Sequence, residues 1–279
     1  LLPFQASTLL HAGGDMFVRR DLENFVPTPE GRMHFVKRGT GYPLVLLHPL
    51  GTSTRAWHTV IDSLSQHFTC YAFDILGHGE SDKPSRHFNI PDYARALDHA
   101  AQVLNIHRGH YVGNSVGACL ATEMAASYPD RVDKLALVGC PVRSPLTGAQ
   151  RLQESAGDYD EDGQPKPRTS EDLKMGSTFV DPRQDWVDAT NRTRAQAGVW
   201  VRNLSETLAY YDVMSRLPLI RASATLVMYG EQDGLREGEE LLYNNIVNAS
   251  KVALPGQGHI PQIEDPEGFI SALLPFLQP

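Results

Sequence analysis

From residue 32 onward, short apolar runs rich in β-branched residues alternate with segments whose apolar positions recur every three to four residues. RMHFVKRG and PLVLLHPL flank a Gly-Thr-Gly-Tyr turn and read as strands. TCYAFDI, GHYVG, DKLALVGC, ATLVMYG and SKVALPG read the same way. Between them, STRAWHTVIDSLSQHF carries Trp57, Val60, Ile61 and Leu64 at helical spacing. PDYARALDHAAQVLNI has Pro91 in its first turn, and GACLATEMAASYPDRV stops at a Tyr-Pro-Asp turn. GEELLYNNIVN and PEGFISALLPFL complete the set of helices. Strands separated by helices of this length pair in parallel, and a parallel sheet must be covered on both faces. The pattern predicts an α/β chain built on a mostly parallel sheet.

Residues 142–217 break the rhythm. They hold the polar stretch ESAGDYDEDGQPKPRTSED and then helix-like runs around Trp186 and from Trp200 to Met214. They read as an insertion between two strands, with residues 1–141 and 218–279 forming the core domain. The acidic run Asp158–Asp162 reads as a solvated loop.

Composition removes whole classes of function. A formal charge of −8 speaks against nucleic acid and anionic membrane surfaces, which need clustered Lys and Arg. No apolar run approaches the length of a membrane span. Three scattered cysteines do not make a disulfide framework, so a reduced, cytoplasmic setting is the expectation. Residue 1 is a leucine, which leaves open a leader ahead of the numbered chain.

Gly113-Asn114-Ser115-Val116-Gly117 stands where a strand ends and a helix begins. A serine there sits on a sharp turn with its Oγ above the carboxyl edge of the sheet. The residues two before and two after must be small, because strand and helix come closest there, and both are glycine. A serine hydroxyl needs a base within hydrogen-bond reach to act as a nucleophile. Of eleven histidines, His58, His67, His99 and His107 fall on or beside helices and read as surface residues. His259 instead follows a strand, within GQGHIPQIEDPEGF. The imidazole needs an acid to orient it. Asp233, just past ATLVMYG, fills that role; Glu231 lies too close to the strand end, and Glu264 and Asp265 too near the last helix. The order Ser115, Asp233, His259 therefore nominates a nucleophile, an acid and a base. The amide of Val116 and that of Leu50, in the loop His48-Pro49-Leu50-Gly51, are the expected oxyanion donors. Pro49 has no N–H to offer. His48 reads as a loop hydrogen-bonding residue.

From about residue 25 to its end the chain resembles α/β-hydrolase fold enzymes of the serine esterase and C–C hydrolase group. The resemblance rests on LLHPLGTSTRAW, FDILGHGESDKP, YVGNSVG, YPDRVDKLALVG, LVMYGEQDG and GQGHIPQIEDPEGF. It implies an eight-stranded sheet flanked by helices, with residues 142–217 as a helical cap. It also implies a catalytic triad of Ser115, Asp233 and His259, no metal and no cofactor. In that family Asp74 and Ser81 correspond to structural loop residues. His48-Pro49 stands where the family usually has His-Gly, and Ala118 where a glycine is common.

Ester hydrolysis of a small to medium apolar acyl substrate is the first reading. C–C hydrolases resemble the chain in the Gly-Asn-Ser elbow, but they usually carry a longer Gly-Pro oxyanion loop and a tryptophan after the histidine. Here Ile260 and Pro261 follow His259. A lactonase or a perhydrolase uses the same triad, and a slow-turnover ligand receptor on a hydrolase scaffold is the reading from another class. A serine at position 115 argues against dehalogenases and epoxide hydrolases, which need a carboxylate there. The expected pocket residues are His48, Arg55, Asn114, Trp186, Trp200, Tyr210 and Ile260, the cap aromatics standing either as pocket wall or as packing against the core. The expected partner is a small-molecule ester; oligomeric state stays open.

Overall fold

The computed structural model describes residues 24–142 and 145–278; the sequence reading of residues 1–23 lies outside them. The strands are β1 (Asn24–Thr28), β2 (Gly31–Arg38), β3 (Tyr42–Leu47), β4 (Phe68–Phe73), β5 (Gly109–Asn114), β6 (Val132–Val138), β7 (Ala224–Gly230) and β8 (Ala249–Leu254). The helices are α1 (Ile61–Leu64), α2 (Ile90–Val103), α3 (Val116–Ser127), α4 (Pro145–Glu154), α5 (Ser170–Met175), α6 (Gln184–Ala197), α7 (Val199–Ala209), α8 (Gly238–Asn245), α9 (Pro261–Glu264) and α10 (Pro266–Leu277). One eight-stranded sheet runs in the order β1-β2-β4-β3-β5-β6-β7-β8. β1 and β2 pair antiparallel, as do β2 and β4, and every later pair is parallel.

Two cores follow from the two-residue period of a strand. Val45, Leu47, Tyr71, Phe73, Tyr111, Leu135, Leu137, Val227 and Tyr229 point to one face, against Tyr93 and Leu97 of α2 and Leu120 and Met124 of α3. Their neighbours Leu44, Leu46, Cys70, Ala72, Val112, Ala136, Val138, Leu226 and Met228 point to the other. There they meet Trp57, Ile61 and Leu64, with Phe269, Leu273 and Leu277 of α10. Because both faces are covered, the central strands read as continuous apolar runs.

The register brings the strand ends level. Leu47 pairs with Phe73 and Gly113, Asn114 with Val138, Val138 with Met228, and Gly230 with Leu254. The segments following Leu47, Asn114, Gly230 and Leu254 therefore leave the sheet along one carboxyl edge.

Two sequence expectations are corrected. The run from Ser53 to Phe68 is not one helix. It is a 3-10 turn (Thr54–Trp57) followed by the single turn α1. Ser53 Oγ takes the Arg55 N–H, Asp74 takes the Thr54 N–H, and Thr59 Oγ1 donates to the carbonyl of Gln262, which pins the segment to the core. The sequence reading also missed β1. Its Pro27 is tolerated because β1 is an edge strand. Between β6 and β7 the described residues form α4, a 3-10 turn at Ser155–Asp158, α5, α6, α7 and a 3-10 turn at Leu217–Leu219. Asp158, read from sequence as part of a solvated run, pairs with Arg168 at 2.8 Å.

Candidate active site

Ser115 joins β5 to α3 with φ 57° and ψ −119°. A serine at positive φ outside the common left-handed basin stores on the order of 1–3 kcal/mol of strain. The surroundings hold it there. Its N–H donates to the Val138 carbonyl at 2.8 Å, and its carbonyl accepts from Ala118 and Cys119. The two glycines are demanded by space. A Cβ on Gly113 would stand 2.1 Å from the Gly117 carbonyl oxygen, and one on Gly117 would stand 2.2 Å from that of Leu47.

His259 Nδ1 lies 2.9 Å from Asp233 Oδ2. A carboxylate at that nitrogen favours the tautomer with the proton on Nδ1 and leaves the Nε2 lone pair free. The second Asp233 oxygen accepts the Leu235 N–H at 2.9 Å, so the carboxylate is held at both ends. Glu231 is exposed and accepts from the Gly256 amide. Asp265 caps α10 through the Gly268 N–H. Gly139, at the end of β6, presses on the pair: a Cβ there would stand 2.8 Å from both Asp233 Oδ2 and His259 Nδ1.

The loop of His259 is tied on two sides. Asn114 Nδ2 donates to the carbonyls of Val138 and His259, both at 3.1 Å, while Asn114 Oδ1 accepts from Gln262 Nε2. Asn114, expected from the sequence at the pocket, is fully buried, and its amide is spent on the loop. On the other side, the His259 N–H donates to the carbonyls of Ser177 and Thr178. Glu264 accepts the amides of Val180 and Gly258, each at 2.6 Å. Burial is the largest influence on this carboxyl and moves it above the usual carboxylate range.

His48 is fully buried, with Nδ1 2.8 Å from the Pro49 carbonyl and Nε2 accepting the Ile75 N–H at 3.0 Å. These two bonds require a neutral ring, and burial lowers its pKa. His48 therefore fastens the loop after β3 to the loop after β4. A turn closed by Thr52 N–H and the Pro49 carbonyl presents Leu50. Among the described residues the amides of Leu50 and Val116 meet no acceptor.

The remaining expected residues scatter. Arg55 is exposed on the 3-10 turn. Ile260 belongs to an apolar cluster with Leu173, Phe179 and Val187, and Trp186 packs on it, its ring 5.1 Å from that of Phe179. Trp200 is half-buried against Gly77 in the loop after β4. Tyr210 is corrected: it is 59% exposed at the end of α7, at odds with a pocket wall. Sequence reasoning passed over Gln262 and Arg194, and weighed Glu264 only as a rival for the acid. Gln262 and Glu264 sit within six residues of His259, and that proximity was the available signal. Arg194 had none, because an arginine on a polar helix reads as solvent-facing.

A family model described as alpha/beta hydrolase fold matches residues 42–266. An uncharacterized protein of Mycobacterium tuberculosis is 38% identical over 107 residues, 38% of this chain. The match spans 31% of that relative's own length. A 2-hydroxy-6-oxononadienedioate/2-hydroxy-6-oxononatrienedioate hydrolase of Burkholderia vietnamiensis is 30% identical, covering 89% of this chain and 92% of its own. A pimeloyl-[acyl-carrier protein] methyl ester esterase of Pectobacterium carotovorum is also 30% identical, over 84% and 94%. Among solved structures, an enol-lactonase from Burkholderia xenovorans superposes with a TM-score of 0.72 at 20% identity, covering 91% of this chain and 99% of that one.

Proposed function

Because the chain belongs to the alpha/beta hydrolase family, we propose that it is a serine hydrolase cleaving a carboxylic ester whose acyl group is small to medium in size. The observation that carries this reading is the convergence on one sheet edge of a strained Ser115 and a carboxylate-bound His259. In the proposed reaction, His259 Nε2 takes the Ser115 hydroxyl proton as Oγ attacks the ester carbonyl. The tetrahedral oxyanion is met by the Leu50 and Val116 amides, each such donor being worth about 10²–10³ in rate. Collapse of the intermediate expels the alcohol, which receives the proton from His259 and leaves an acyl-serine. Water, deprotonated by His259, then releases the acid and restores the serine. Asp233 keeps the imidazole in the working tautomer and stabilises its charged form. No metal and no cofactor enters this scheme.

We read residues 142–217 as a lid over this edge. Gln196, at the end of α6, donates to the Gly79 carbonyl and to Glu80, and Lys83 returns a bond to the Gln196 carbonyl. Thr207 of α7 donates to the Phe88 carbonyl. These bonds support a lid seated on the loop that follows β4.

The Burkholderia vietnamiensis relative favours a second reading, hydrolysis of a C–C bond next to a carbonyl by the same three residues. A panel of activated esters of graded acyl length, a lactone and a ring-fission dienoate, assayed for turnover, separates the two. Saturable ester hydrolysis with a stoichiometric fluorophosphonate adduct on Ser115 supports the proposal. Preferential turnover of the dienoate transfers the assignment to C–C cleavage. An adduct on another serine, with Ser115 unmodified, overturns both.

A further inference from the structure

Arg194 lies on α6 and is only 6% exposed. Its Nε and Nη2 are shielded from solvent and meet no hydrogen-bond partner among the described residues. Its stem crosses Gly51, the residue after the candidate oxyanion donor Leu50. A Cβ on Gly51 would stand 3.0 Å from Arg194 Cγ and 3.5 Å from Nη1. The nearby carboxylate, Asp158, is engaged by Arg168 at 2.8 Å. Burial, with Arg168 acting in the same direction, draws the Arg194 guanidinium down to about 10, against weaker opposition from Tyr159 and Asp158. At neutral pH it is still a cation.

A buried guanidinium with idle N–H groups is costly unless an anion meets it, and its planar fork fits a carboxylate through two parallel bonds. We propose that Arg194 binds a carboxylate of the substrate, so that the preferred ester carries a free acid group reaching the oxyanion-loop side of the site. This rests on the serine-hydrolase reading for its chemistry, though not for the binding itself. The substrate class becomes half-esters of dicarboxylic acids, or their close relatives, in place of wholly apolar acyl esters. Gly51 is then fitted to its place, because any side chain there would push on the arm that holds the anion.

The test compares 4-nitrophenyl hydrogen glutarate with 4-nitrophenyl pentanoate, which are similar in length and differ in charge. Wild type should prefer the anionic ester. Arg194→Met keeps an apolar stem and removes the charge. It should lower kcat/KM on the hemiglutarate about 30-fold more than on the pentanoate. Arg194→Lys, which keeps the charge and loses the fork, should fall between. Calorimetric titration with glutarate makes the binding claim independent of turnover: wild type should bind it and Arg194→Met should not. If glutarate binding depends on Arg194 while neither ester turns over, the carboxylate site stands and the serine-hydrolase reading falls. Equal losses on both esters, or glutarate binding unaffected by Arg194→Met, overturn the proposal. So does an Arg194→Met protein that melts well below wild type, since that result would mark the guanidinium as a paired structural group.

Discussion

Asn114, the residue directly before Ser115, donates its side-chain amide to the backbone carbonyl of His259 at 3.1 Å. The candidate nucleophile and the candidate base, far apart in the chain, are thus linked through the Asn114 side chain. Replacing Asn114 with Ala leaves the part-buried carbonyl of His259 and the side-chain amide of Gln262 without this partner. We expect a loss of stability of about 2–3 kcal/mol and a larger fall in kcat than in KM. Urea melts and steady-state kinetics on one ester read both. An Asn114→Ala enzyme with wild-type kcat would show that His259 is held without this bond.

Ser115 sits at φ 57°, a conformation that glycine adopts freely. Ser115→Gly should therefore raise the unfolding free energy by about 1 kcal/mol while cutting hydrolysis by roughly 10⁴ or more. A calorimetric melt and a sensitive ester assay suffice. A Ser115→Gly protein less stable than wild type would mean that the turn is not strained.

The two acidic residues after β7 should part company. Asp233→Asn disturbs the imidazole tautomer and should reduce kcat by about 10⁴. Glu231→Gln touches only an exposed bond to the Gly256 amide and should stay within about threefold of wild type. Reversed magnitudes would move the acid by two residues.

Three buried imidazoles predict loss of stability in mild acid. Burial lowers His110 to about 4 and His78 to about 3, and it also lowers His48. Below the unfolded value near 6.5 the unfolded chain takes up protons that the folded chain refuses. Stability is therefore full above pH 6.5 and falls as pH drops towards 4, each tenfold weakening of proton affinity on folding counting about 1.4 kcal/mol. His110→Gln should flatten that slope. Urea midpoints at pH 7 and pH 5 for both proteins decide it; equal pH dependence would assign the acid sensitivity to other groups.

The two tryptophans of the proposed lid should behave differently. Trp186 packs in the cluster that includes Phe179 and Ile260, so Trp186→Ala should cost about 2–3 kcal/mol of stability. Trp200 rests half-buried on Gly77, and Trp200→Ala should reorder acyl preference more than it lowers the melting temperature. Substrate ranking unchanged in both variants would place the specificity pocket elsewhere, along the loop after His48.

What could be read from the sequence follows from which forces are local. The parallel strands were legible because each carries its own apolar run, and the elbow because strand, glycine, serine, glycine and helix are contiguous. Asp233 and His259 were legible because each directly follows such a strand. The pairing of Asn114 with His259 was not, since it depends on how two distant loops meet. The segment 53–68 has helical spacing, but bonds that it donates to Asp74 and Gln262, remote in sequence, break it after one turn. Arg194 was missed for the same reason. A charged residue on a polar helix looks solvated until another loop, here Gly51, is laid across it.

The bonds from the His259 amide to Ser177 and Thr178, and from the Val180 amide to Glu264, tie the loop of the candidate base to the segment proposed as lid. Any motion that lifts residues 177–180 also slackens the backbone of the base. A gate that swung from this corner would disarm the site as it admitted a substrate. A gate that swung from the α6–α7 side, where Gln196 meets Glu80, would leave it armed. Under the proposed lid reading, entry from that far side is the route that leaves His259 in place, with the corner beside Ser177 as the fixed end.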